Sequence, residues 1–320
     1  MPIGASNVPW APVLTRLNPW YPGQMGVDGT DGNTGLRLDT NGTIFYVDPN
    51  AVGVSDGRDG TDPTEPLATV AAALTHCQAN RNDVIVVAMN SAWQHANAAV
   101  GRATAITEEV TVSVPGVRIV GLCPSSVMGV PWKPVTASGT MITVNVMDVL
   151  IEGFCFTDNL GVGNATAIAS FWDDPPYGDN LTVRHCYFGT ELDYGITLDF
   201  SYYSHIHDNY FDSTNVAAIL NLNAEGDPDY ASIHDNTFMN CAAAISFLDA
   251  DNCAIYRNLI YGTAGIANNF INLTGGGGNI VADNFFACTI AQYDTNCSDA
   301  TSGVWLFNHC TDGSPVAPPT

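Results

Sequence analysis

Charge is scarce in this 320-residue chain: 13% of its residues are Asp, Glu, Lys or Arg, about half the share in an average globular domain. Positive charge is scarcer still. Lys133 is the single lysine, and 9 Lys and Arg stand against 32 Asp and Glu, for a net charge of −23 at pH 7. Such a chain cannot assemble the basic face that phosphate neutralisation requires, which excludes nucleic acid as a partner. No apolar run approaches the ~18 residues of a membrane span, so no membrane partner is expected. The first twenty residues hold one basic residue, Arg16, among Pro2, Pro9, Pro12 and Pro19. They lack the charged start and apolar centre of a secretory leader, and the Asn-X-Thr sequons at Asn164 and Asn180 are discounted accordingly. The 9 cysteines form no CxxC pair. An odd, singly spread set reads as small buried hydrophobes, with one late disulfide among Cys288, Cys297 and Cys310 left open.

What is present is apolar and rich in amides. Hydrophobic residues make up 46%, which excludes a wholly disordered chain. Some 28 Asn and 30 Gly make the surface polar through amides and tight turns, which disfavours long helices built on Glu, Lys and Ala. Residues 1–42 mix Trp10, Trp20 and Tyr21 with Pro and Gly and follow neither helix nor strand period. Such a segment cannot bury a core alone. Its large aromatics imply an extended attachment arm. Residues 291–320 read as a C-terminal cap and tail, ending in Pro315-Val-Ala-Pro-Pro-Thr320.

Between arm and tail the chain repeats itself. Val183-Arg-His-Cys-Tyr-Phe188, Ile206-His-Asp-Asn-Tyr-Phe211, Ile233-His-Asp-Asn-Thr-Phe238, Ile255-Tyr-Arg-Asn-Leu-Ile260 and Val281-Ala-Asp-Asn-Phe-Phe286 follow one another at spacings of 22 to 27 residues. A second series keeps step: Gly195-Ile-Thr-Leu, Ala218-Ile-Leu-Asn-Leu, Ala244-Ile-Ser-Phe-Leu and Phe270-Ile-Asn-Leu. Short runs of Ile, Val and Phe with no helical stretch between them are coils of a parallel β-solenoid. Coils stack about 4.8 Å apart. Val183, Ile206, Ile233, Ile255 and Val281 then form one internal column, and Phe188, Phe211, Phe238, Ile260 and Phe286 another. Asn209, Asn236, Asn258 and Asn284, with Cys186 at their head, form a third. An Asn at a bend is expected to take the left-handed conformation itself while its amide bonds the coils on either side.

These columns resemble those of right-handed parallel β-helix, or pectin-lyase-like, proteins. The upstream segment strengthens the likeness. Ile44-Phe-Tyr-Val-Asp-Pro-Asn50, the turn-rich Ser55–Asp62 and Glu65-Pro-Leu-Ala-Thr-Val-Ala-Ala-Ala-Leu74 follow the family's order of strand, polar turn and capping helix. Pro66, Leu67, Val70 and Leu74 fit one apolar helix face. The resemblance implies an all-β chain with a capping helix near 66–78 and a β-helix body over 43–290, whose first coils draw on Val110–Val120 and Met141–Phe154.

Each candidate for chemistry has a structural reading beside it. Gly53-Val-Ser55-Asp-Gly57 matches a nucleophile elbow in letters, but Asp-Gly-Thr-Asp-Pro follows where a helix is needed. Asp56, Asp59 and Asp62 miss the calcium-loop spacing and read as turn formers. The repeated His-Asp-Asn at 207–209 and 234–236 places two imidazoles on one face, yet strand alternation should send His and Asp in different directions; no metal site is expected. Gly275–Gly278 lacks the Lys-Ser/Thr of a phosphate loop. The galacturonases that share the fold carry an Asp pair, a Gly-His-Gly and an Arg-Ile-Lys. This chain has Trp172-Asp173-Asp174 without the other two. Trp172 stacked on a neutral sugar, with Asp173, Asp174, Asp193 or Asp199 as acid and base, is the weak glycan candidate. No catalytic residue and no cofactor are assigned.

A Lys-poor, acidic β-helix without catalytic motif or appended domain is similar to tailspikes and tailspike-like head-decoration proteins of tailed bacteriophages. That resemblance implies a homotrimeric virion protein whose arm, through Trp10, Trp20 and Tyr21, holds the major capsid protein or another virion protein at the capsid surface. A tailspike depolymerase or receptor-binding protein acting on a host glycan is the alternative.

Overall fold

The computed structural model describes residues 40–51, 53–88, 105–122, 129–157, 165–170, 179–223, 226–262, 269–300 and 303–311. The arm therefore falls almost wholly outside the described residues. The chain divides into two units, Met1–Glu108 with Val114–Trp132 and Leu150–Cys155, and Glu109–Ser113 with Lys133–Val149 and Phe156–Thr320.

In the first unit, strands Ile44–Val47, Val84–Ala88, Arg118–Leu122 and Leu150–Glu152 pair in parallel in that order. Val84–Ala88 is buried at every position, as a parallel strand covered on both faces must be. Helix α1, Val70–His76, packs its buried Val70, Ala73 and Leu74 against the first two of these strands. It starts later than the Pro66–Leu74 pattern implies. Thr69 caps it by accepting from the Ala72 amide, and the Glu108 carboxylate takes the amides of Val70 and Ala71 at 3.1 Å each. Leu67 is buried, but it bridges Val47 in strand fashion. Trp132, wholly buried, meets Phe154 edge-on at 5.4 Å and donates to the Glu108 carbonyl. Gly129 (φ +95) lies so close to Gly153 that a Cβ would come within 2.2 Å of its carbonyl oxygen. No larger residue fits there.

In the second unit each coil contributes three strands. Thr182–Arg184, Tyr187–Phe188 and Leu192–Leu198 form one coil; His205–His207, Tyr210–Asp212 and Ala217–Leu220 the next; Ser232–His234, Thr237–Met239 and Ala243–Phe247 a third; Ala254–Tyr256, Leu259–Tyr261 and Asn269–Leu273 a fourth. All neighbours pair in parallel, in register. The two expected columns are present and buried, and each runs one coil further, to Trp305 and Cys310. Rings of Phe188, Phe211 and Phe238 stack at 4.4 and 4.9 Å. Ile168, Ile196, Ile219, Ile245, Ile271 and Cys297 supply a third column. Parallel pairing also passes residue 290. Helix α2, Ile290–Asn296, interrupts the coil that begins with Ile280–Ala282, and strands Cys297–Asp299, Val304–Leu306 and His309–Cys310 continue the stack.

The Asn column is a hydrogen-bond ladder. Each carboxamide oxygen accepts from the amide and Nδ2 of the preceding Asn, as Asn236 Oδ1 does from Asn209 at 3.0 Å, and each Nδ2 also donates to a carbonyl of the coil before. Asn308 extends it, and the Cys186 amide ends it on Asn209. The left-handed conformation lies not at the Asn, where the sequence places it, but one residue earlier: His185, Asp208, Asp235, Arg257, Asp283 and Phe307 have φ between 52 and 55. The bend needs a left-handed residue, while the ladder needs the Asn side chain turned inward. Two adjacent residues divide these tasks.

Candidate functional site

Trp10, Trp20, Tyr21, Trp172, Asp173 and Asp174 lie outside the described residues. Asp199 is described and buried. Its Oδ1 accepts from the amides of Leu222 and Asn223 at 2.7 and 3.1 Å. Burial raises its pKa against the pull of those two bonds, so this carboxylate braces one coil to the next. Asn221 does the same one coil later, accepting from the Leu248 amide at 2.6 Å. Asp193 is half-buried on the same strand as Leu198. The acidic turn near the start is also structural. Asp59 and Asp62 accept from Thr61 and Thr64, and Asp56 from the amides of Ala68 and Thr69.

One acidic group behaves differently. Asp227-Pro-Asp229 and Asp249-Ala-Asp251 stand one coil apart, and the structure brings all four carboxylates together. Asp229 accepts from the Asp251 amide at 2.8 Å, and Asp251 from the Gly277 amide. Asp227 instead shares a hydrogen bond with Asp249. Its pKa is pushed up to about 6, first by burial and then by the charges of Asp249, Asp229 and Asp251. Its Oδ1 is buried with no hydrogen-bond partner. A carboxylic acid that keeps its proton near pH 6 beside a carboxylate can donate and recover a proton. The recurring Asp-X-Asp is the sequence signal for this pair, a faint one because the two copies flank the repeats instead of lying in them.

The His-Asp-Asn repeats build a ring stack on the outside of one sheet. His207 and His234 lie 4.9 Å apart and 3° from parallel, Tyr256 follows at 4.8 Å, and the Arg257 guanidinium sits 4.7 Å over the Tyr256 ring. The expectation that His and the following Asp diverge is overturned. His207 Nδ1 meets Asp208 at 2.7 Å and His234 Nδ1 meets Asp235 at 2.8 Å, because the left-handed Asp turns its carboxylate back onto the strand's outer face. Arg257 grips Asp235 with two nitrogens at 2.8 and 2.5 Å, and that hydrogen bonding leads in holding the Asp235 pKa down at about 2. The neighbouring His205 is pushed down by burial, then by His207 and His234. Among the described residues, no group of three or more His, Cys, Asp or Glu is arranged to hold a metal ion.

Further along the stack the outer surface turns apolar. Leu259, Phe285, Ile280, Val304, Leu306 and Phe307 are each at least 39% exposed. Ile280 pairs with Val304 and Leu259 with Phe285, and Phe307 occupies the corner between their strands.

Residues 138–286 match the model of the right handed beta helix region. No curated protein matches the sequence. Among solved structures the chain is similar to "Geobacillus virus E2 - ORF18", at 12% identity and a TM-score of 0.32, over 83% of this chain and 62% of that one. The match thus takes in less than two thirds of that protein's length.

Proposed function

With the chain established as a right-handed β-helix protein, we propose that it is a structural virion protein that decorates or cements the capsid surface of a tailed bacteriophage. In this reading three copies associate, the solenoid projects as a rigid body, and the arm residues Trp10, Trp20 and Tyr21 bury aromatic area on the major capsid protein or another virion protein. The observation that carries it is the use of the carboxylates. Asp56, Asp199, Asp229, Asp251, Glu108 and Glu109 all spend an oxygen on main-chain amides, so they act as braces of a rigid object. A fold of this kind hosts enzymes and structural proteins alike, and the carboxylate roles speak for the latter.

Removing residues 1–42 should abolish binding to capsids while the melting temperature of the remaining chain is unchanged. Co-sedimentation with arm-free protein retained on particles would overturn the proposal. Cryo-electron microscopy of particles should place the density at capsid symmetry positions; density confined to the tail would favour the second reading.

That second reading is a depolymerase of a host surface glycan. Asp227 is close enough to share a hydrogen bond with Asp249, nearer than the roughly 5 Å or more that separates the two carboxyls of a glycoside hydrolase, so this pair is not its acid and base. Release of reducing ends from host glycan by the intact chain would establish it; no release from any host glycan would remove it.

A further inference from the structure

The last two coils bring three cysteines under helix α2. Cys288 and Cys310 are buried, with Sγ atoms 3.9 Å apart, and Cys297, also buried, is near enough to feel the charge of both. Tyr293, wholly buried on the inner face of α2, feels all three thiols. The backbones of the first pair are tied. Thr311, next to Cys310, donates its amide at 3.2 Å and its hydroxyl at 2.7 Å to the Cys288 carbonyl. Both bonds fix the approach of the two residues from different coils.

From this geometry we infer that Cys288 and Cys310 are an oxidation site, forming a disulfide that staples the last coil to the one before it. The oxidant is a low-molecular-weight disulfide of the glutathione class. One protein thiolate attacks a sulfur of that disulfide and releases a small thiolate. The second protein thiolate then attacks the mixed disulfide and releases another. Two protein thiols lose two protons and two electrons, and the small disulfide gains them as two thiols. Cys297 stays reduced: it stands on another sheet, paired with Ile271, whereas Cys310 pairs with Phe286, two residues before Cys288.

The staple joins the outermost described strand of its sheet to the coil before it. His309–Cys310 is a two-residue strand that pairs with Phe285 and Phe286, and a strand so short separates locally at low cost. Oxidation proceeds as the last coil opens or docks, and the closed coil then shields the bond from reductant. The pairing is chosen by the fold, because these residues lie 22 apart in sequence and meet only when the coils stack.

The test uses the full chain, incubated with oxidised or reduced glutathione, then alkylated in denaturant and mapped as peptides without reduction. The expected result is a cross-linked peptide pair holding Cys288 and Cys310, with Cys297 alkylated, and a melting temperature about 4 °C above that of the reduced chain. Cys297→Ala should keep both the bridge and the shift, and Cys310→Ala should abolish both. Alkylation of Cys288 and Cys310 after oxidation, or a bridge through Cys297, would overturn the inference. The mapping on the unaltered chain decides it even where a cysteine variant does not fold.

Discussion

Asn236 sits at 1% exposure, and its carboxamide is bonded on both sides: it donates to the Ile206 carbonyl and to Asn258 Oδ1, and accepts from the amide and Nδ2 of Asn209. Removing the amide leaves several buried polar groups unpaired at once, and each costs about 1 kcal/mol or more. Asn236→Ala should therefore lose about 3 kcal/mol in urea unfolding, while the same change at exposed Asn215 should lose far less. Two carboxylates give opposite pH signatures. Asp227 has a folded pKa of about 6 against an ordinary value of 3.8, so the folded state binds the extra proton and stability falls as pH rises from about 4 to 6. Solvent at its exposed edge screens the repulsion, so Asp227→Asn should gain about 1 kcal/mol at pH 7 and nothing at pH 3. Asp235, held at about 2 beside Arg257, contributes above pH 4 and loses that contribution as pH falls toward 2. Thermal melts between pH 2 and 8 read both. The Asn column is legible in the sequence because its spacing repeats; the Asp227–Asp249 pair shows there only as a recurring Asp-X-Asp, because proton sharing depends on a distance that only stacking sets.

At the scale of elements, helix α1 shows how a short segment is held by its ends. Seven residues are too few to be stable alone, and Thr69 and Glu108 supply acceptors for the amides of Ala72, Val70 and Ala71. Burial, the largest influence on Glu108, raises its pKa, and the amides pull it back. Glu108→Ala should destabilise the chain by about 1–2 kcal/mol and raise hydrogen exchange across Val70–Leu74 before the strands of the second unit respond. The apolar face of this helix could be read from Val70 and Leu74, but its first residue could not. Leu67 is equally apolar, and its place on the strand edge is decided by the Val47 bridge. The strands of the coils were the easier part, since each inward residue recurs at the coil period. The corners were misassigned by one residue, because the Asn signal is so regular that it drew the bend onto itself.

For the whole molecule, a net charge of −23 and an exposed apolar stretch over the last coils coexist on one chain. A surface so acidic resists unspecific association. Sequence alone determined the all-β solenoid, the two internal columns, the Asn ladder and the poverty in basic groups, because a repeat stacked at a fixed spacing writes its contacts at a fixed period. Tertiary structure alone decided which carboxylates brace main-chain amides and which share a proton, which residue of each corner turns left-handed, and which two of three late cysteines meet. Those outcomes depend on atoms one coil apart in space and more than twenty residues apart in the chain, where a fraction of an ångström separates a hydrogen bond from none.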